Sequence, residues 1–74
     1  MKEGNNIPKL TPREKEVLVH ISDGMTHKQI ADKLIVSPST IRKHMENSYK
    51  KLKAHNKIEA VQKAIKMNLI ENNN

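Results

Sequence analysis

The chain has 74 residues, no cysteine, a single aromatic residue (Tyr49), and 14 Lys+Arg against 8 Asp+Glu, for a net charge of +6. A chain of this length is one domain that buries roughly 60% of its unfolded surface, so a catalytic barrel or a doubly wound sheet does not fit in it. The composition also argues against disulfides, thiolate metal sites and aromatic platforms for single strands. There is no apolar run long enough to span a membrane, and no apolar stretch of signal-peptide type follows the opening MKEGNN.

Residues 1–9, with Gly4, Asn5, Asn6 and Pro8, read as a flexible arm or linker remnant. Residues 10–70 read as the domain. Thr11-Pro12-Arg13-Glu14 is a capping box with proline at the first helical position. It predicts a helix over about 12–23, with Val17, Leu18 and Ile21 on one face, Leu10 folding back onto it, and Gly24 as the stop. Thr26-His27-Lys28-Gln29 is a second box and opens a short helix over about 27–34, with Ile30, Ala31 and Leu34 inward. Ile35-Val36-Ser37 is a tight connection. Ser37-Pro38 caps a third helix over about 38–53, whose apolar arc is Ile41, Met45, Tyr49 and Leu52. Asn56-Lys57-Ile58-Glu59 opens a fourth over about 57–69, and 71–74 read as a disordered tail. The expected fold is all-α: four helices with a central helix-turn-helix.

The positive charge is uneven. Residues 1–37 carry a net +1 and residues 38–74 a net +5. The excess is densest at 42–57, where Arg42, Lys43, Lys50, Lys51, Lys53 and Lys57 face one acid, Glu46. On charge alone, a polyanionic partner and a merely solvated lysine face both account for this. The helical wheel narrows the choice. In the third helix Ser39, Lys43, Glu46 and Lys50 fall within about 60° of one another, opposite the apolar arc. Arg42 and Lys53 flank them on one side; Thr40, His44, Asn47 and Lys51 flank them on the other. A short helix, a tight turn and a longer basic helix match the unit whose second helix fits the major groove of DNA. Ordinary helix packing with a solvated basic face is the plainer reading of the same pattern.

The fourth helix carries an apolar arc wider than one neighbour needs. Ala60, Val61 and Ala64 occupy one part of it, and Ile58, Ile65 and Leu69 lie about 60–100° away, with Gln62 beside them. Either Ile58, Gln62, Ile65 and Leu69 form a second surface for a partner, or Ile58 and Ile65 complete a small core.

The run from Leu10 to Leu18 (LTPREKEVL) is similar to the opening of the LuxR-type helix-turn-helix domain, also called the GerE or NarL/FixJ output domain. The resemblance continues through KQIADKL at 28–34 and VSPSTIRKH at 36–44. It ends with Asn47, Lys51-Leu52, Asn56-Lys57 and Ala60-Val61, in family order over about residues 9–70. It implies a bacterial, cytoplasmic DNA-binding regulator of transcription that acts as a dimer on paired half-sites. Such a domain can be a complete small regulator or the output domain of a two-component response regulator. Thr40, Arg42, Lys43, His44, Glu46 and Lys50 match positions where the family's recognition helix meets DNA, and the fourth helix matches its dimer surface. Glu14 matches an acidic position of the first helix that is often structural. The expected partners are double-stranded DNA, a second copy at least when DNA is bound, and RNA polymerase; no membrane is expected. The sequence departs from the family at His27, often Asn, and at Lys57, often Arg, where a bidentate fork is lost. Ser48 stands where the family is usually apolar, which is expected to loosen the third helix. Glu46 places an acid in the DNA face; it suits a cytosine amino group and not a phosphate.

Other chemistry finds little support. His20, His27, His44 and His55 never pair at helical spacing, so no metal is expected, and no cofactor or catalytic constellation is read. A protein-interaction module built on the fourth helix is the alternative function; it gives no role to Arg42 and Lys43. A sigma-factor-like promoter reader shares the helix-turn-helix but is disfavoured by the Asn56-capped fourth helix.

Overall fold

The computed structural model describes residues 7–71 of the chain. Within that range there are four helices, α1 (Pro12–Ser22), α2 (His27–Leu34), α3 (Pro38–Leu52) and α4 (Lys57–Lys66), and no strand. The tail at 72–74 and most of the N-terminal arm lie outside the described residues.

Each start is set by a side chain that accepts an otherwise orphaned N–H, at Thr11, Thr26, Ser37 and Asn56. The two threonine boxes are reciprocal: Thr11 Oγ1 accepts from Glu14 N while Glu14 Oε1 accepts from Thr11 N, and Thr26 and Gln29 repeat the arrangement. At α4 the pattern shifts by one residue. Glu59 N donates to Asn56 Oδ1, but Glu59 Oε1 accepts from His55 N at 2.7 Å. That bond, with lesser help from the Lys63 ammonium, holds the Glu59 carboxyl below its ordinary range against the opposing effect of desolvation.

Three helix ends differ from expectation. α1 stops at Ser22, with Asp23 as its C-cap, and α3 stops at Leu52, with Lys53 in the left-handed region. α4 is shorter by a turn than the span read to 69. Asn68 adopts φ 60°, and the N–H groups of Leu69 and Ile70 both return to Ala64 O. The turn places Ile70 in the core and takes Leu69 off the helix.

The core joins Leu10, Val17, Leu18 and Ile21 to Ile30, Ala31, Ile41, Met45 and Leu52, closed by Ala60, Ala64 and Ile70. α3 lies against all three other helices, so its buried stripe fixes its orientation from several sides. Ser48 is at the centre of that stripe, fully buried, and Tyr49 is only half-buried at its edge. The expected loosening at Ser48 has a local remedy: its hydroxyl donates to His44 O at 2.8 Å within the same helix. A buried hydroxyl with its bond made inside the helix needs no partner from α1 or α4.

One ion pair ties the start of α1 to the end of α3. Glu14, its side chain 4% exposed, accepts from Lys51 Nζ at 2.8 Å as well as from the Thr11 N–H. Burial alone would push this carboxyl up. The hydrogen bonds from Lys51 and the Thr11 amide, with the Lys51 charge, outweigh burial and hold it below its ordinary value.

Candidate nucleic-acid interface

With its apolar stripe locked inward, α3 leaves the opposite face to solvent. Ser39, Arg42, Lys43, Glu46 and Lys50 are exposed, and Thr40, His44 and Asn47 are half-buried along one flank. Among the described residues none of Arg42, Lys43, Glu46 and Lys50 takes part in an ion pair. The helix opens on a cluster of hydroxyls. Ser37 Oγ accepts from Thr40 N and lies 3.0 Å from Ser39 Oγ and 2.9 Å from Thr40 Oγ1. Thr40 is therefore partly committed to the cap, while Ser39 stays open to solvent.

The basic cluster read over 42–57 divides in the structure. Lys51 lies on the flank beside Asn47 and turns to Glu14 rather than remaining free. Arg42, Lys43, Lys50, Lys53 and Lys57 are exposed and form the free positive surface. Lys63 Nζ closes the α3–α4 turn from below by donating to Lys53 O at 2.7 Å, and it also pairs with Glu59. The side chain that reading along one helix could not assign was Lys51, because its partner is 37 residues away.

The candidate partner surface on α4 is a looser set. Ile58 is 65% exposed, Gln62 is exposed, and Ile65 and Leu69 are half-buried. The reading in which Ile58 and Ile65 complete the core holds for Ile65, which packs against it, and fails for Ile58: Ala60 and Ala64 fill that side, and Ile58 stands over a recess beside Ile21, Val61 and Gln62. Among the described residues no three of His, Asp and Glu gather as a metal site. None of the described helices is long and apolar enough to cross a membrane.

Residues 8–64 match the model of the bacterial regulatory proteins of the luxR family. The chain belongs to the luxR family of bacterial regulatory proteins. It is 42% identical over 60 residues to the transcriptional activator protein CarR of Pectobacterium carotovorum, a match covering 81% of this chain and 25% of CarR. This luxR-family domain superposes on the response regulator ChrA of a heme-sensing two-component system with a TM-score of 0.81 and 34% identity, over 84% of this chain and 31% of that one. It matches the transcription factor GerE with a TM-score of 0.80 and 26% identity, over 84% of this chain and 92% of GerE. The chain spans about a quarter of CarR and two fifths of another curated relative. The luxR-family domain thus has the four helices and central helix-turn-helix that the resemblance in the sequence implied.

Proposed function

We propose that this domain binds double-stranded DNA sequence-specifically by inserting α3 into the major groove, and that it pairs with a second copy through α4. The observation that carries the reading is the division of α3. One side is fixed by three helices, and the other presents Arg42, Lys43, Glu46 and Lys50 to solvent without ion pairs among the described residues. A helix held rigidly by its back places base-reading side chains with the precision that readout requires. The similarity to ChrA supports a role as the output domain of a response regulator. The bacterial cytoplasm, where the chromosome lies, is the compartment this function requires.

Position along α3 separates the roles. Lys43 and Glu46 lie one turn apart at the centre of the exposed face and are assigned to base edges; Lys50, further along, is assigned to phosphate, and Arg42 to the groove wall. Lys43→Ala is expected to lose about 1–3 kcal/mol on the preferred site and little on random duplex. Lys50→Ala is expected to weaken all duplexes alike. Glu46→Ala removes a repulsion with phosphate, so non-specific affinity rises while discrimination at one base pair falls. Titrations of the variants on selected and random duplexes check this; an unchanged preferred sequence for both Lys43→Ala and Glu46→Ala would remove base reading from this face.

Pairing through α4 rests on the exposed Ile58 and Gln62, with the half-buried Ile65 beside them on the helix and Leu69 in the turn beyond its end. Ile58→Lys is the suitable variant, because Ile58 contributes little to the core. It is expected to weaken binding to two adjacent half-sites by about tenfold or more and to leave an isolated half-site unaffected. Equal losses on both duplexes would reject α4 as the pairing surface.

A further inference from the structure

Ile35, in the turn between α2 and α3, combines two unfavourable features. Its backbone is in the left-handed region, at φ 59° and ψ 50°, which a β-branched residue rarely adopts. Its side chain is also 89% exposed, the most exposed of the large apolar residues described. The turn itself needs the backbone shape. Val36 N donates to Ala31 O at 3.0 Å and half-buries the Val36 side chain against the core. It does not need isoleucine. Where other turns demand positive φ the chain places Gly24, Asn68 and the unbranched Lys53. The turn offsets the strain of the backbone shape, but nothing within the domain offsets the choice of a branched, exposed apolar side chain for it, and a strained residue of that kind points to a contact made elsewhere.

The position of Ile35 selects the occupant. It precedes Pro38, the first residue of α3, by three residues, so the two Cα atoms are no more than about 11 Å apart along the chain. The major groove is about 12 Å wide. With the start of α3 in the groove, the groove's lip is within reach of this side chain. The exposed Asp32 and Lys33 of the preceding turn offset each other in charge, so the side chain of Ile35 decides the contact, and a branched apolar group suits the thymine methyl group or the deoxyribose carbons. We infer that Ile35 is a DNA-contacting residue that packs on apolar groups of the duplex at the lip of the major groove. The inference rests on the proposed entry of α3 into the groove.

The test uses the whole chain and the duplex it selects from a randomised pool. Ile35→Asn suits the left-handed backbone, so it is expected to melt higher by about 4–8 °C while binding that duplex roughly threefold to tenfold more weakly. Ile35→Val, which keeps the branch and most of the contact, is expected to melt and bind nearly as the parent does. Duplexes with deoxyuridine in place of thymine separate the two sources. Loss of affinity for the parent but not for Ile35→Asn identifies a thymine methyl; no loss identifies the sugar wall. A more stable Ile35→Asn that binds with undiminished affinity would overturn the inference, even if transcription fell, since that result belongs to a protein partner. A less stable Ile35→Asn would overturn it as well, by removing the strain. If the parent chain binds no duplex at all, the DNA reading itself fails and takes this inference with it.

Discussion

Glu14→Ala is expected to destabilise the domain by about 2–3 kcal/mol, lowering its melting temperature by roughly 10–20 °C. The size follows from what the carboxylate does. It completes the α1 capping box by accepting from the Thr11 N–H, and it takes a charge-assisted bond from Lys51 at the end of α3. Its removal leaves Lys51, about one third exposed, able to reach water, which keeps the loss below that of a fully buried pair. Glu14→Gln retains an acceptor for Thr11 and is expected to lose about half as much. The same carboxyl sets an acid limit. Its value in the fold is lower than the ordinary 4.5, so its contribution is complete above pH 4.5 and is lost as pH falls through the folded value. Melting curves against pH should therefore fall more steeply below pH 4.5 for the parent than for Glu14→Gln. Parallel curves would mean that the Lys51 bond adds nothing.

The second large effect is on affinity. Five exposed basic residues, Arg42, Lys43, Lys50, Lys53 and Lys57, give an expected slope of log affinity on log salt of about −4 to −5. Between 50 and 200 mM salt the affinity for duplex should then drop by roughly 250- to 1,000-fold. The division of the basic cluster adds a sharper expectation. Lys50→Ala should make the slope shallower by about one, whereas Lys51→Ala should leave it unchanged, because the Lys51 ammonium belongs to Glu14. A slope near zero on duplex DNA would contradict groove docking by this surface.

What was legible in the sequence was local. A helix start is written in one side chain and the amide three residues on, so Thr11, Thr26, Ser37 and Asn56 could be assigned by reading along the chain. The periodicity of α3 likewise placed Ile41, Met45 and Leu52 inward and Lys43, Glu46 and Lys50 outward. What stayed hidden depended on tertiary geometry. The C-terminal end of α4 is set by Asn68 turning left-handed so that Ile70 can enter the core, and no breaker precedes it. Lys51 reads as one more surface lysine until α1 is beside it. Ser48 reads as a flaw in an apolar stripe, although its hydroxyl is satisfied by the helix that carries it. Ile35 reads as a connector, because periodicity carries no information about the sign of φ.

Entry of α3 into the major groove is read out by dimethyl sulfate footprinting on the selected duplex. Guanine N7 faces the major groove, and adenine N3 the minor groove. The bound domain is expected to protect guanine N7 positions within its site, with part of the protection relieved in Lys43→Ala and adenine N3 still reactive there. Protection of adenine N3 with guanine N7 left open would contradict major-groove entry.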